Sequence, residues 1–172
     1  TGDAAIKSAA DRIEAPFSRS GGENSYALHA ELQEITHNLV GIIRTGSELK
    51  EAIEKIAEIR KRSANVSVAG GRKFNPGFHL AFDLDNMLLV AESTAKSAIS
   101  REESRGGHTR DDFPQLDNKW RQVNHIASFD GKEVSVRKQA LPALPKELFD
   151  LFDVHELEKY MTADEIAKGG AR

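Results

Sequence analysis

The sequence predicts a mainly α fold, an up-down bundle of three to four helices closed by a short C-terminal β-hairpin and an extended arm. Apolar residues recur at steps of three and four through most of the first hundred positions, the period of an amphipathic helix. After Trp120 the period falls to about two, that of a half-buried strand. Hydrophobic residues make up 39% and aromatics only 6%, so the core must be built from Leu, Ile, Val and Ala, a palette that suits packed helices. At 172 residues the chain is of single-domain size and long enough to bury a core without staples.

The first helix is expected to start with Asp3 as its cap and to bury a stripe of Ile6, Ala10, Ile13 and Phe17 before Pro16 and Ser18 to Gly22 end it. Asn24 or Ser25 caps a second, whose Leu28, Leu32, Ile35, Leu39 and Ile42 keep the four-three rhythm. Gly41 and Gly46 bracket either a break, with Thr45 or Ser47 capping the next helix, or a kinked continuation. The third helix turns Leu49, Ala52, Ile56 and Ile59 inward, and Arg60-Lys61-Arg62 suits its C-terminal dipole. From Ser63 to Lys73 periodicity is lost. Asn75 then caps a fourth helix with Pro76 at its first position, running to about Glu103. Its seam of Ala81, Leu84, Leu88, Ala91, Ala95 and Ala98 is small enough for close backbone approach, which makes it the central helix.

Beyond Trp120, Val123, His125, Ala127 and Phe129 alternate with polar neighbours, Asp130-Gly131 is a hairpin turn, and Val134 and Val136 alternate on the return. Leu141-Pro142-Ala143-Leu144-Pro145 reads as an extended arm. Glu147 to Tyr160 forms a short helix docking through Leu148, Leu151, Phe152 and Leu157, and the last dozen residues are expected to fray. Residues 1–120 form the bundle and 121–172 the hairpin, arm and short helix packed on it, one domain overall.

Several function classes fall away. The net charge of -3 argues against nucleic acid, which rewards a basic face. No cysteine is present, so disulfides, thiolate nucleophiles and iron-sulfur ligation by this chain are excluded. No apolar run approaches a membrane span and no signal peptide opens the sequence, so a soluble, cytoplasmic chain with no direct membrane insertion is expected. Its start, straight into a helix pattern without Met, is that of a segment excised from a longer protein. Dinucleotide, phosphate-loop and hydrolase motifs are absent. His29 and His37 are eight residues apart on one helix, too far for a shared metal; His108 and His125 with Asp111 or Asp112 have no diagnostic ligand spacing.

Functional side chains crowd most densely between Arg101 and Trp120. Arg101, Arg105, Arg110 and Lys119 oppose Glu102, Glu103, Asp111, Asp112 and Asp117, with His108 in their midst. Gly106-Gly107 allows a sharp turn with φ > 0, presenting Arg105 and Arg110 as bidentate donors to carboxylates in the loop or across an interface. His108 beside such carboxylates would titrate near neutrality. Three roles are open: an internally paired loop locking the helix exit, an interdomain contact, or a direct catalytic or flavin-phosphate role. A catalytic base also requires a cleft and a substrate pose, which no motif here supplies.

The run from Arg101 to Pro114, RESRGGHTRDDFP with a doubled glutamate after the first arginine, followed by Trp120, resembles the C-terminal signature of succinate dehydrogenase and fumarate reductase flavoprotein subunits. Glu31-Leu32-Gln33, Gly41-Ile42-Ile43-Arg44 and Asn86-Met87-Leu88-Leu89-Val90-Ala91-Glu92 match as well. The resemblance runs from about Ala4 to the end and is weakest over the final arm. Gly107 stands where many relatives carry alanine, the stretch from Pro114 to Trp120 is one residue short, and Leu116 replaces a frequent arginine.

The resemblance implies a spectrin-repeat-like bundle that packs on the FAD and capping domains of the same polypeptide and helps seat an iron-sulfur subunit. FAD and the dicarboxylate-binding residues would belong to those other domains, with no cofactor and no catalytic residue in this chain. The implied contact residues are Arg101, Glu103, Ser104, Arg105, His108, Arg110, Asp112 and Trp120. The parent complex would oxidise succinate, pass electrons to quinone, and lie on the inner face of the cell membrane through other subunits. L-aspartate oxidase, which shares a Glu-Ser-Arg-Gly-x-His core, is the alternative parent; a stand-alone, non-catalytic helical interaction module is the other reading.

Overall fold

The computed structural model describes residues 2–142 and 144–169. Ala143 of the expected arm, Thr1 and the last three positions lie outside them. Helices α1 (Asp3–Ser18), α2 (Ser25–Leu39), α3 (Gly46–Ser63) and α4 (Pro76–Ser100) come first, with a two-residue strand β1 (Ile43–Arg44) between α2 and α3. Strand β2 (Thr109–Arg110), helix α5 (Asn118–Arg121) and the hairpin β3 (Val123–Phe129) and β4 (Val134–Ala140) follow. Three short helices end the chain, α6 (Lys146–Phe149), α7 (Val154–Glu158) and α8 (Ala163–Ala167).

The core is the mutual packing of α2, α3 and α4. Leu28, Leu32 and Ile35 meet Ala52, Ile56 and Ile59, and Leu84, Leu88 and Ala95 complete the cluster, so the expected stripes of these helices face one another. Each helix begins on a polar cap. The Asn24 side chain accepts from the amides of Tyr26 and Ala27, Asn75 from that of Phe78, and Thr45 forms a reciprocal capping box with Glu48. Thr45 thus settles the Gly41–Gly46 segment as a break.

Helix α1 departs from expectation. Asp3 lies in its first turn and no side chain caps it. No residue of α1 is buried: Ile6 is 68% exposed and Ile13 40%. Only its C-terminal end meets the bundle, where Phe17 packs on Phe78 at 5.0 Å and Arg12 lies over Phe82. The periodicity was helical, but a stripe is buried only where another element faces it. Pro16 lies inside the last turn, and the helix continues to Ser18. Ile42 likewise leaves the core, because the break places it beyond α2, where it is exposed.

The hairpin pairs antiparallel in the register Val123 to Ala140 through Phe129 to Val134 and packs on α4. Lys96 of α4 anchors it, donating to the Val134 carbonyl at 2.7 Å while pairing with Glu92. The single helix expected over 147–160 is two, because Asp153 accepts from the amide of His155 and caps a fresh start. The register shifts with it. Phe149 and Leu157 are buried, while Leu148, Leu151 and Phe152 are exposed. The expected frayed end contains α8, whose Thr162–Glu165 capping box and Glu165–Arg121 ion pair tie it to the body.

Candidate functional site: the charged loop after the central helix

Helix α4 ends at Ser100, three residues earlier than its pattern suggested. Its last carbonyls are claimed by a side chain from beyond the turn: Arg110 Nη1 donates to the carbonyls of Ala98, Ile99 and Arg101 at 3.1 to 3.2 Å. The other face of the same guanidinium forms a bidentate pair with Asp112 at 2.7 and 2.8 Å. Asp112 also accepts from the amide of Gly46 at 2.9 Å, at the start of α3. One Arg-Asp pair therefore joins the C-terminus of α4 to the N-terminus of α3, with a cation at the negative dipole end and an anion at the positive one. Glycine at position 46 suits this, since a Cβ there would sit 3.0 Å from Arg110 Nη2 and 3.1 Å from Asp112 Oδ2. The pair with Arg110 holds the Asp112 carboxyl down to about 2.

Glu103 is the second anchor and is fully buried. Its Oε1 accepts from Arg101 Nε and Arg105 Nε, each at 2.9 Å, and its Oε2 accepts from Arg105 Nη2 and the Asp117 amide, each at 3.0 Å. Burial alone would push this carboxyl up; the donors, Arg105 foremost, outweigh it and bring it below its ordinary value. Arg101 reaches on to the carbonyl of Trp120 at 2.9 Å. Ser104 Oγ accepts from the Arg110 amide and donates to the Phe113 carbonyl at 3.0 Å.

Gly106 has φ +58 and makes the turn in which the amides and carbonyls of Arg105 and His108 bond reciprocally. Gly107 has no such requirement, and a Cβ there meets nothing within 4 Å, so an alanine would fit. The returning strand β2 pairs in parallel with β1, Ile43 opposite Thr109 and Arg44 opposite Arg110.

Six of the eight expected contact residues are thus gathered in two clusters, with His108 and Trp120 beside them. Glu103, Arg101 and Arg105 form one, Arg110, Asp112 and Ser104 the other. His108 touches neither carboxylate: its Nε2 lies 3.1 Å from the Arg101 carbonyl, and burial, then the cations Arg44, Arg101 and Arg110, push it below its ordinary value. Trp120, 2% exposed, stacks on His125 with ring centroids 5.5 Å apart, and Lys138 Nζ lies 4.0 Å from its ring centre. Among the described residues no three His, Asp or Glu side chains converge to hold a metal. No described helix is long and apolar enough to cross a membrane.

Residues 29–148 match the family described as fumarate reductase flavoprotein C-term, about seven-tenths of the chain and all of this loop. The chain belongs to this family. Over 152 residues it is 32% identical to a fumarate reductase flavoprotein subunit of Helicobacter pylori, covering 87% of this chain and 20% of that subunit. Over 104 residues it is 41% identical to an uncharacterized FAD-dependent oxidoreductase of Methanocaldococcus jannaschii, covering 60% of this chain and 19% of that protein. In the Mycobacterium smegmatis Sdh1 complex one chain superposes with a TM-score of 0.87 at 44% identity, over 96% of this chain and 29% of that one. This chain therefore spans about a fifth of the length of the curated relatives it matches.

Three participants in the site were not singled out from the sequence as contacts. His125 and Lys138 reach Trp120 only because hairpin register sets them opposite each other. Arg44 is brought in by the β1–β2 pairing of two-residue strands, too short to leave a periodic signal. Its one sequence trace was its place in the Gly41-Ile42-Ile43-Arg44 match.

Proposed function

We propose that this chain is the C-terminal helical domain of a succinate dehydrogenase or fumarate reductase flavoprotein subunit, acting in assembly rather than in chemistry. The bundle through Trp120 and the segment after it work as one unit. It packs on the FAD and capping domains of the same polypeptide and helps seat an iron-sulfur subunit. The parent enzyme interconverts succinate and fumarate at FAD, exchanges electrons with quinone through its partners, and sits peripherally on the inner face of the cell membrane. Exposed parts of Arg101, Arg105 and His108 serve as the domain contact.

One observation carries the assignment of role: the two most deeply buried charges of the loop, Glu103 and Arg110, are consumed by partners within the chain. Glu103 accepts four hydrogen bonds at zero exposure and Arg110 spends its donors on Asp112 and three carbonyls, so neither is available to a substrate. The superposition over 96% of the chain at 44% identity on part of the Sdh1 complex supports a parent of the succinate dehydrogenase type.

The test is charge reversal, Arg105→Glu or Arg110→Glu, in the intact flavoprotein. Flavin content and co-purification of the iron-sulfur subunit should fall, while turnover per bound flavin stays close to wild type. A variant that keeps its flavin and partner but loses turnover would place these residues in the chemistry and overturn the reading.

A further inference from the structure

An open cleft of about 670 Å³ lies where α4, β1, the Gly106–His108 turn and β3 meet. Its polar lining is cationic or neutral. Arg44, Arg101, His108 and His125 contribute, with the hydroxyls of Ser93 and Ser97, and none of its lining residues is Asp or Glu. Leu89, Val90 and Ala98 form an apolar wall.

Arg44 is the anomaly. Its side chain belongs to a residue only 9% exposed, it forms no ion pair among the described residues, and its buried Nε has no hydrogen-bond partner. A guanidinium withdrawn from water with no counter-charge is costly, and its fixed fork of donors is matched by a planar carboxylate. The nearby acids cannot serve it, because Glu103 is held by Arg101 and Arg105, and Asp112 by Arg110. Other cations lie near the two imidazoles of the lining. Arg101 and Arg110 act on His108, Arg101 and Lys138 on His125, and with burial as the first cause both imidazoles are held below their ordinary value.

We propose that this cleft is a receptor for a carboxylate carried on an alkyl stem, with Arg44 as its principal donor, Arg101 beside it and the Leu89–Val90 wall against the stem. The carboxylate could come from an Asp or Glu side chain of a docked protein surface or from a free short-chain organic acid. The cleft is built entirely by this chain, so it does not depend on the assembly role argued above.

The experiment titrates sodium acetate and sodium butyrate into the 172-residue chain, with chloride holding ionic strength constant, while the ring resonances of His108 and His125 are followed by NMR. His37 and His155, both exposed and outside the lining of the cleft, are internal controls. Saturable shifts at His108 and His125 alone are expected, with butyrate binding more tightly than acetate. Arg44→Gln should weaken binding on the order of tenfold and Arg44→Lys less, since lysine keeps the charge but loses the fork. Shifts that do not saturate, that chloride reproduces, or that persist unchanged in Arg44→Gln would overturn the proposal. Wild type alone suffices for the first two readings if the glutamine variant does not fold. In the intact polypeptide a docked side chain would make both histidines unresponsive to butyrate at concentrations that shift them in the 172-residue chain. A free ligand would leave them responsive, and an absence of any response in the 172-residue chain itself would again overturn the proposal.

Discussion

Glu103→Gln isolates the fully buried anchor of the loop. Glutamine matches glutamate in shape but carries one acceptor oxygen and one NH2 group. Whichever way the amide is turned, the NH2 faces two donors, either the Arg101 and Arg105 Nε groups or Arg105 Nη2 and the Asp117 amide. Two hydrogen bonds to a charged acceptor are lost, at about 1.5 kcal/mol each, giving roughly 3 kcal/mol. That is at the lower end of the 3–5 kcal/mol, roughly, for breaking a buried ion pair, as suits partners that can regain some water: Arg101 and Arg105 side chains are 21% and 23% exposed. Urea denaturation followed by circular dichroism measures the change. Glu102→Gln, one residue earlier and exposed, is the control and should stay within about 0.5 kcal/mol. A loss below about 1 kcal/mol at Glu103 would refute the claim that this carboxylate organises the loop.

Other outcomes follow from the same geometry. Arg110→Lys keeps the charge but cannot both grip Asp112 bidentately and span three carbonyls, so it should cost about 2–3 kcal/mol by urea denaturation. Asp112 binds its proton at about 2 when folded against 3.8 ordinarily, so its contribution is complete above about 3.8 and lost as pH falls toward 2. With its side chain 35% exposed, solvent screening reduces that contribution to about 1 kcal/mol, and Asp112→Asn should flatten acid denaturation in this window. His125 is lowered by burial and by Arg101 and Lys138, so the unfolded chain binds its proton more readily and stability falls as pH drops below 6.5. Trp120, the one tryptophan, is stacked on this ring, and its fluorescence should be quenched with a midpoint below 6.5, a transition that His125→Gln abolishes.

Helices α2, α3 and α4 were legible because their apolar stripes pack on one another within a single chain, so period and burial report the same surface. Helix α1 has the same period without a partner along most of its length, and sequence pattern cannot distinguish a stripe that is buried from one that is merely present. The charged loop was legible as a dense cluster, but composition does not say who pairs with whom. Arg105 meets a carboxylate two residues away, whereas Arg110 reaches back twelve residues to the end of α4 and, through Asp112, to Gly46. Those long-range partners exist because the parallel pairing of β1 with β2 draws the returning loop against the α2–α3 break. The same pairing buries Arg44 with no carboxylate assigned to it. A two-residue strand thus closes one pair of helix ends with an internal ion pair and leaves in the adjacent cleft a buried cation that no carboxylate among the described residues pairs.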